Sequence, residues 1–382
     1  MQNKINELSM LTTNCYQELH RLKEENHQKD LQIKAITEAI HVLSDSISEI
    51  INSINGLTNT VNEQSSYINQ YAYREQNIDA WVSNLQQCIA NLKYEILDPN
   101  LDTSTFFYPH ILDASVAIDK IINEHKSIAR FGDGEFAIMM KQERQKFQHL
   151  DDHLAQRLYE VLHSNNPQLL IGIANNYGSL DKYNANGKLG IRLYMTDEVR
   201  ASHKLLIDSD RVYYDAYMSR PYALFQDNYT DAPQKRFSHL KQIWQDRKVI
   251  FVEGSLTRLG VGNDLFDNAH SIQRIIAPPT SSFDKYDAIL EASLKYAEPD
   301  TLFLLAIGPS AGVLAYDLCK NGYQAVDIGH VDLEYEWFLQ GKGSRCAVPT
   351  KYNNEFYGGD IVEPIHDEKY MSQILCSFAE TM

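Results

Sequence analysis

Three side chains able to bind a metal, His330, Asp332 and Glu334, fall at alternate positions within Ala325–Phe338 (AVDIGHVDLEYEWF). In an extended backbone alternate residues share a face. The spacing therefore predicts an imidazole and two carboxylates converging just past the apolar strand Ala325–Ile328, at the end of a parallel sheet where ligands bind. Hard divalent ions such as Mn²⁺ or Mg²⁺ take oxygen ligands with an occasional imidazole, so the set suits an ion that carries a phosphorylated substrate. The plainer alternative is a solvated turn in which Asp332 caps a helix beginning at Leu333.

Three further blocks carry chemistry-bearing residues at the ends of apolar runs. In Arg130-Phe-Gly-Asp133-Gly-Glu135, Gly132 and Gly134 free the backbone to turn, and two carboxylates and an arginine gather at a strand terminus. Such acids suit a metal, or one of them accepts the proton of a hydroxyl; a glycine turn with Asp133 as helix cap uses the same residues. In Glu253–Asp264, Arg258, Gly260, Gly262 and Asn263 follow a strand. Small residues there let N–H groups approach an anion, and Arg258 is placed for a bidentate phosphate contact. The block matches neither a Walker loop nor a dinucleotide fingerprint, and an ordinary glycine-rich loop fits it equally. In Ile307–Gly312, Gly308 and then Ser310 as N-cap lead a strand into a helix whose unpaired N–H groups form an anion site, or simply punctuate the chain.

The elements that must hold these blocks are legible as alternating apolar runs and amphipathic stretches. Strands are predicted at Ser127–Phe131, Leu169–Ala174, Arg211–Tyr217, Lys248–Glu253, Ile272–Ala277, Thr301–Ile307 and Gln324–Ile328. Helices are predicted at Ile111–Glu124, Asp151–His163, Lys285–Ala297 and Ser310–Asn321, the last ended by Gly322. Continuous apolar strands imply cover on both sheet faces. The fold class expected is α/β, a Rossmann-like and largely parallel sheet with helices on both faces.

Ahead of this domain, apolar residues recur at alternating spacings of three and four from Ile5 to Ile96. The a positions carry Ile33, Ile40, Ile47, Ile54 and Val61, and the d positions Ile36, Leu43, Ile50, Leu57 and Ile78. This pattern predicts a long α-helical coiled coil, a parallel dimer favoured by the β-branched a positions, a trimer compatible with the isoleucines at d, and Asn26 fixing register at an a position. No proline interrupts it before Pro99. The expected organisation is a coiled-coil oligomerisation segment at 1–97, a linker at 98–110 and a catalytic domain at 111–382.

The net charge of −16 argues against a general nucleic-acid binder, which needs Lys and Arg to neutralise phosphates. Five scattered cysteines without a CxxC pair support neither a disulfide framework nor a zinc site. No apolar run approaches the ~20 residues of a membrane span, and the first residues lack a secretory pattern, so a cytoplasmic location is expected.

Taken together, RFGDGE, EGSLTRLGVGNDLFDN, AIGPSAGVLAYDL and DIGHVDLEYEWF resemble the GT-D type glycosyltransferases, bacterial sugar-nucleotide-dependent enzymes of surface-adhesin and polysaccharide glycosylation. The resemblance covers roughly 111–360 and excludes the coiled coil. It implies a metal-dependent site around an Asp-x-Glu motif, matched by Asp332 and Glu334, with His330, and matched a second time by Asp133 and Glu135. On the first assignment, Asp332, Glu334 and His330 hold Mn²⁺ or Mg²⁺, which neutralises the departing diphosphate. Arg130, Gly132, Arg258, Gly260, Gly262, Asn263, Gly308 and Ser310 bind the donor, and Asp133 or Glu135 acts as base. The implied donor is a UDP-sugar, UDP-glucose by default, and the acceptor a glycan or glycoprotein. Arg220-Pro221-Tyr222 shapes the pocket or merely ends a strand, and Lys351–Tyr357 closes over the nucleotide. Two other readings use the same residues: metal-dependent phosphoester hydrolysis, and a coiled-coil scaffold with a non-catalytic nucleotide-binding domain.

Overall fold

The computed structural model describes residues 2–75, 78–96, 106–142, 148–353, 355 and 358–379. The chain divides into two units after Ser83. The stretch 97–105 assigned to the linker, and the side chains of Ile5, Asn26, Ile33, Ile36, Ile40 and Ile78, lie outside the described residues.

The first unit is helical. Gln2–Glu75 is one helix of 74 residues, about 110 Å long at 1.5 Å per residue. Its described a and d side chains, Leu43, Ile47, Ile50, Ile54, Leu57 and Val61, are all more than half exposed. The apolar stripe expected of a coiled-coil seam is therefore present and uncovered along a single chain.

The second unit begins inside the helix Ile78–Glu95, earlier than the domain boundary the sequence suggests. One face of its last turns docks onto the α/β domain. Asn91 donates from Nδ2 to the Arg192 carbonyl at 2.9 Å and accepts from Arg200 Nη2 at 2.9 Å. Glu95 takes two bonds of 2.7 Å from Arg192, and the Arg200 guanidinium lies 3.8 Å from the Tyr94 ring centroid. The opposite face still carries the heptad stripe, Leu85, Ile89, Leu92 and Ile96, exposed to solvent.

Nine strands form one sheet: β1 (His110–Leu112), β2 (Ser127–Phe131), β3 (Leu169–Ile173), β4 (Val212–Asp215), β5 (Lys248–Gly254), β6 (Ser271–Ala277), β7 (Leu302–Ala306), β8 (Gln324–Asp327) and β9 (Ile374–Ser377). Their order is β1-β4-β3-β2-β8-β7-β5-β6-β9, and every pairing is parallel. The seven expected strands are present. The two edge strands are additional: β1 occupies the beginning of the helix expected from Ile111, and that helix starts at Ala114, where Asp113 accepts from Ser115 N.

Period-two alternation sorts the strand residues between two cores. Ala129, Phe131, Ile171, Ile173, Val252 and Leu305 pack under the helices Asp152–Leu162, Tyr286–Tyr296 and Ser310–Lys320. Ile128, Leu170, Val249, Phe251, Leu304 and Val326 pack under Ala114–Asn123, Ala232–Lys241 and Val331–Leu339. Both faces are thus covered, which is why these strands read as unbroken apolar runs. At β2 and β8 the strand order reverses direction, and parallel sheets open a crevice outside the carboxyl ends of such a pair.

Candidate active site

A cleft of about 480 Å³ lies at that crevice. The segments after β2, β3, β4, β5, β7 and β8 all contribute to its wall, through Asp133, Asn176, Tyr217, Thr257, Pro309 and His330 among others. Of the residues singled out in the sequence, Arg130, Gly132, Asp133, Glu135, Gly308, His330 and Asp332 line it.

The turn after β2 sets the first acidic pair. The chain leaves the strand extended at Gly132, and a short helix, Asp133–Met139, starts at once. Glu135 folds back to accept from Gly132 N at 2.8 Å, the side-chain half of a capping box. Asp133 is exposed at the cleft, whereas Glu135 is partly buried. Burial pushes the Glu135 carboxyl up to about 7; the Gly132 N–H opposes the rise, and neighbouring Asp327 and Asp133 add to it. Two carboxylates two residues apart, one held near neutrality, supply hard oxygen donors or a base poised for physiological pH.

Arg130 braces the floor between them and the sheet. Its Nε donates to the Asp327 carbonyl at 2.8 Å and its Nη2 to Asp327 Oδ1 at 2.6 Å, with a longer contact of 3.4 Å to the Ala216 carbonyl. The guanidinium passes over Gly329, which has φ +43°; a Cβ at that position would collide with Arg130. Arg130 therefore ties β2 to β8, and its charge is already answered by Asp327.

His330, Asp332 and Glu334 do not converge. The residues after β8 form the helix Val331–Leu339 with His330 at its cap, and in a helix positions two apart point about 200° from each other. Asp332 Oδ1 accepts from Gly260 N at 3.0 Å and Asn263 Nδ2 at 2.9 Å, and Oδ2 from Lys351 Nζ at 2.5 Å. Glu334 turns away from the cleft, its Oε2 accepting from Tyr222 N at 3.0 Å and Ala223 N at 2.7 Å. His330 Nδ1 faces Arg220 Nη2 at 3.2 Å, and burial together with the Arg220 charge lowers it to about 3. A neutral imidazole accepting from an arginine, an Asp332 with both oxygens bonded internally, and a Glu334 turned to main-chain donors through Oε2, its Oε1 buried without a hydrogen-bond partner among the described residues, do not gather into a ligand set. Among the described residues no group of three metal-competent side chains is gathered.

The expected anion loop is likewise turned inward. Arg258, 7 % exposed, donates from Nη1 to the Thr350 and Glu363 carbonyls, each at 2.7 Å; it clamps two loops together and does not face the cleft. Gly260 and Gly262 take positive φ, and Asn263 bonds Asp332 and Glu336, so this loop braces the Val331–Leu339 helix. At the third block the cap is Pro309, and Ser310 is the first helical residue. The Ser310 hydroxyl is buried without a hydrogen-bond partner among the described residues, while Gly308 and Pro309 present the helix start to the cleft.

Several lining residues carry no signal in the sequence: Asp327, hidden inside a strand, Gln148, Asn176, Tyr217 and Arg345. Tyr217 donates to Asn176 Oδ1 at 2.9 Å, and burial pushes its hydroxyl up to about 12. Arg220 lines the cleft, as the segment Arg220-Pro221-Tyr222 suggested, whereas Tyr222 is in the core. From the segment expected to cover the nucleotide, Tyr352 and Glu355 reach the cleft; Phe356 and Tyr357 lie outside the described residues. Burial would raise the Glu355 carboxyl, but the Arg220 and Arg345 guanidiniums hold it well below the usual range.

The model of the glycosyltransferase GT-D fold family matches residues 128–356. The chain is 34% identical over 271 residues to a probable glycosyl transferase, Gly, of Streptococcus gordonii, covering 71% of this chain and 39% of that protein. It is 31% identical over 307 residues to the glycosyltransferase GlyD of Streptococcus pneumoniae serotype 4, covering 80% and 36%. The chain thus spans under two-fifths of the length of these curated relatives. Among solved structures, a new glycosyltransferase (domain of unknown function 1792) from Streptococcus sanguinis superposes with TM-score 0.66 at 32% identity, over 71% of this chain and 99% of that one. A second structure of domain 1792, described as having a distinct glycosyltransferase fold, gives TM-score 0.66 at 30% identity, over 77% and 99%.

Proposed function

The chain belongs to the glycosyltransferase family with the GT-D fold, and on that premise we propose that it moves a hexose from a nucleotide-sugar, UDP-glucose in the first instance, to a glycan or glycoprotein acceptor of the bacterial surface. The observation that carries this reading is the cleft at the strand reversal, lined by Asp133 and Glu135 with the latter held near neutrality.

A divalent ion belongs with that pair in preference to Asp332 and Glu334. Burial, with two other carboxylates nearby, raises the Glu135 carboxyl to about 7, and a cation placed there relieves the repulsion that a proton otherwise removes. Mg²⁺ and Mn²⁺ sites of this kind use one or two carboxylates and complete their shell with substrate phosphates and water. Asp133 and Glu135 fit, and they would hold the ion; when bound it neutralises the charge that develops on the departing diphosphate. Around it, Arg130 fixes the floor, Gly132 N orients Glu135, and Tyr217 and Asn176 offer polar groups to the sugar.

The uncovered heptad stripe supports assembly. A helix of 74 residues with exposed isoleucine and leucine along one seam is stabilised by pairing with the same seam of a second chain. We place a homo-oligomer, dimeric in its simplest form, at this stripe. Among the described residues no helix is long and apolar enough to cross a membrane.

The test is UDP release from a panel of UDP-sugars with Mn²⁺, with and without chelator, beside Asp133→Asn. Release that needs the ion and is lost in the variant supports the reading. Release that is independent of the ion and equal in the variant overturns the site. A phosphoester hydrolase would instead free phosphate from simple esters without any acceptor.

A further inference from the structure

The charges in the cleft are unevenly committed. Among the described residues, three arginines line it: Arg130, Arg220 and Arg345. Arg130 is fastened to the sheet through Asp327 and main-chain carbonyls. Arg220 and Arg345 are fastened to the carboxylate of one residue, Glu355. Arg220 Nη1 donates to Glu355 Oε2 at 2.9 Å and Nη2 bonds Oε1, while Arg345 Nη1 lies 3.3 Å from Oε2. His330, neutral, steadies Arg220 from behind through Nδ1 at 3.2 Å. The Arg220 and Glu355 side chains are 16 % and 23 % exposed, and Arg345 is 37 % exposed.

Two guanidiniums converging on one pair of oxygens is the arrangement that recognises phosphate as readily as carboxylate. A partly buried arginine without a counter-charge is costly, so a chain that must keep such a fork open to an anionic substrate gains by filling it internally. We infer that Arg220 and Arg345 form the binding fork for the diphosphate of the donor, and that Glu355 occupies it as an internal stand-in which the phosphate oxygens displace. The inference rests on the nucleotide-sugar reading for the identity of the ligand, but the fork itself requires only a diphosphate. It assigns to Arg220 and Arg345 the role that the sequence assigned to Arg258. It also makes Glu355 a competitor of the substrate, so that the apparent affinity is the intrinsic one reduced by the fraction of chains whose fork is free.

Calorimetric titration of the full chain with inorganic pyrophosphate and with UDP decides the matter. Glu355→Gln is expected to bind both at least about tenfold more tightly than the natural chain, because the competing state is lost. Arg345→Gln, at a more exposed position, is expected to bind both at least about tenfold more weakly. Glu355→Asp keeps the charge but shortens its reach, and gives an intermediate gain; it carries the test if Glu355→Gln does not fold. Pyrophosphate and UDP affinities that are unchanged or weakened in both Glu355 variants overturn the inference. Tighter pyrophosphate binding without turnover of any UDP-sugar keeps the fork and removes the UDP-sugar donor reading. Turnover of a UDP-sugar with affinities indifferent to Glu355 does the reverse.

Discussion

Replacing Glu135 by glutamine isolates a carboxyl at the cleft that burial raises toward neutrality. Glutamine keeps an oxygen for the Gly132 N–H and serves equally in a capping box, so the local helix start survives while the titration is removed. In the folded chain the carboxyl is pushed from 4.5 to about 7. An acid with a raised folded value binds its proton more tightly in the native state. Its protonated form therefore favours folding at low pH, and stability is lost as pH climbs from about 4.5 to about 7. The full rise corresponds to about 3 kcal/mol, reduced to about 2 kcal/mol by solvent screening at a partly open cleft. Chemical denaturation between pH 4 and pH 8.5 is expected to show Glu135→Gln and the natural chain converging below about pH 4.5. Above pH 7 the variant should be the more stable by about 2 kcal/mol, or several degrees in Tm. Mn²⁺ should raise the stability of the natural chain at pH 8 and leave the variant unchanged. Its affinity should fall as pH drops through about 7, since binding expels the proton. Stability curves that run parallel across this range would refute the claim that burial beside Asp327 and Asp133 raises the Glu135 carboxyl.

Other outcomes follow from the geometry around the cleft. Lys351 is 1 % exposed and pairs with both Asp332 and Glu336, so Lys351→Met should lower unfolding free energy by about 3 kcal/mol while leaving Mn²⁺ affinity in calorimetry unchanged; lost ion binding with stability intact would return Asp332 to the metal site. Arg258→Met removes two bonds to main-chain carbonyls and should cost about 2 kcal/mol in urea denaturation, with pyrophosphate affinity within twofold of the natural chain. Paired Ile50→Asn and Ile54→Asn substitutions in the uncovered stripe should shift sedimentation from oligomer to monomer, leaving UDP release per chain at the same order. An unaltered sedimentation profile would remove the stripe as the seam.

The central sheet is readable because its strands are covered on both faces: runs such as Leu302–Ala306 and 249–252 are apolar without interruption. The edge strands β1 and β9 are three and four residues long and partly exposed, too short to leave a period. The acidic positions illustrate a different limit. Asp133 and Glu135, which line the cleft, stand out in the sequence because glycines and an arginine surround them at a strand end. The spacing His330, Asp332, Glu334 was equally visible, but its meaning depends on whether the backbone is extended or helical, and the helix Val331–Leu339 separates what a strand would join. Arginines were hardest to place. Arg258 sits in a glycine-rich loop of anion-binding appearance and turns inward, whereas Arg345, in a segment without regular pattern, reaches the cleft. A long side chain is directed by its distant partners, here the carbonyls of Thr350 and Glu363, and no local sequence contains them.

The helix end that docks through Asn91 and Glu95 has a consequence for substrates that repeat. Its outer stripe, Leu85 to Ile96, stays free while its inner face is bonded to Arg192 and Arg200, and the helix Ala185–Tyr194 that carries Arg192 also supplies Asn186, Gly190 and Tyr194 to the cleft wall. Chains zipped along that stripe would hold two clefts at a set spacing through short, stiff connections. An acceptor with several sites engaged by one cleft would then meet the other at high effective concentration. Residence on a multisite acceptor would rise without any added contact at the sugar.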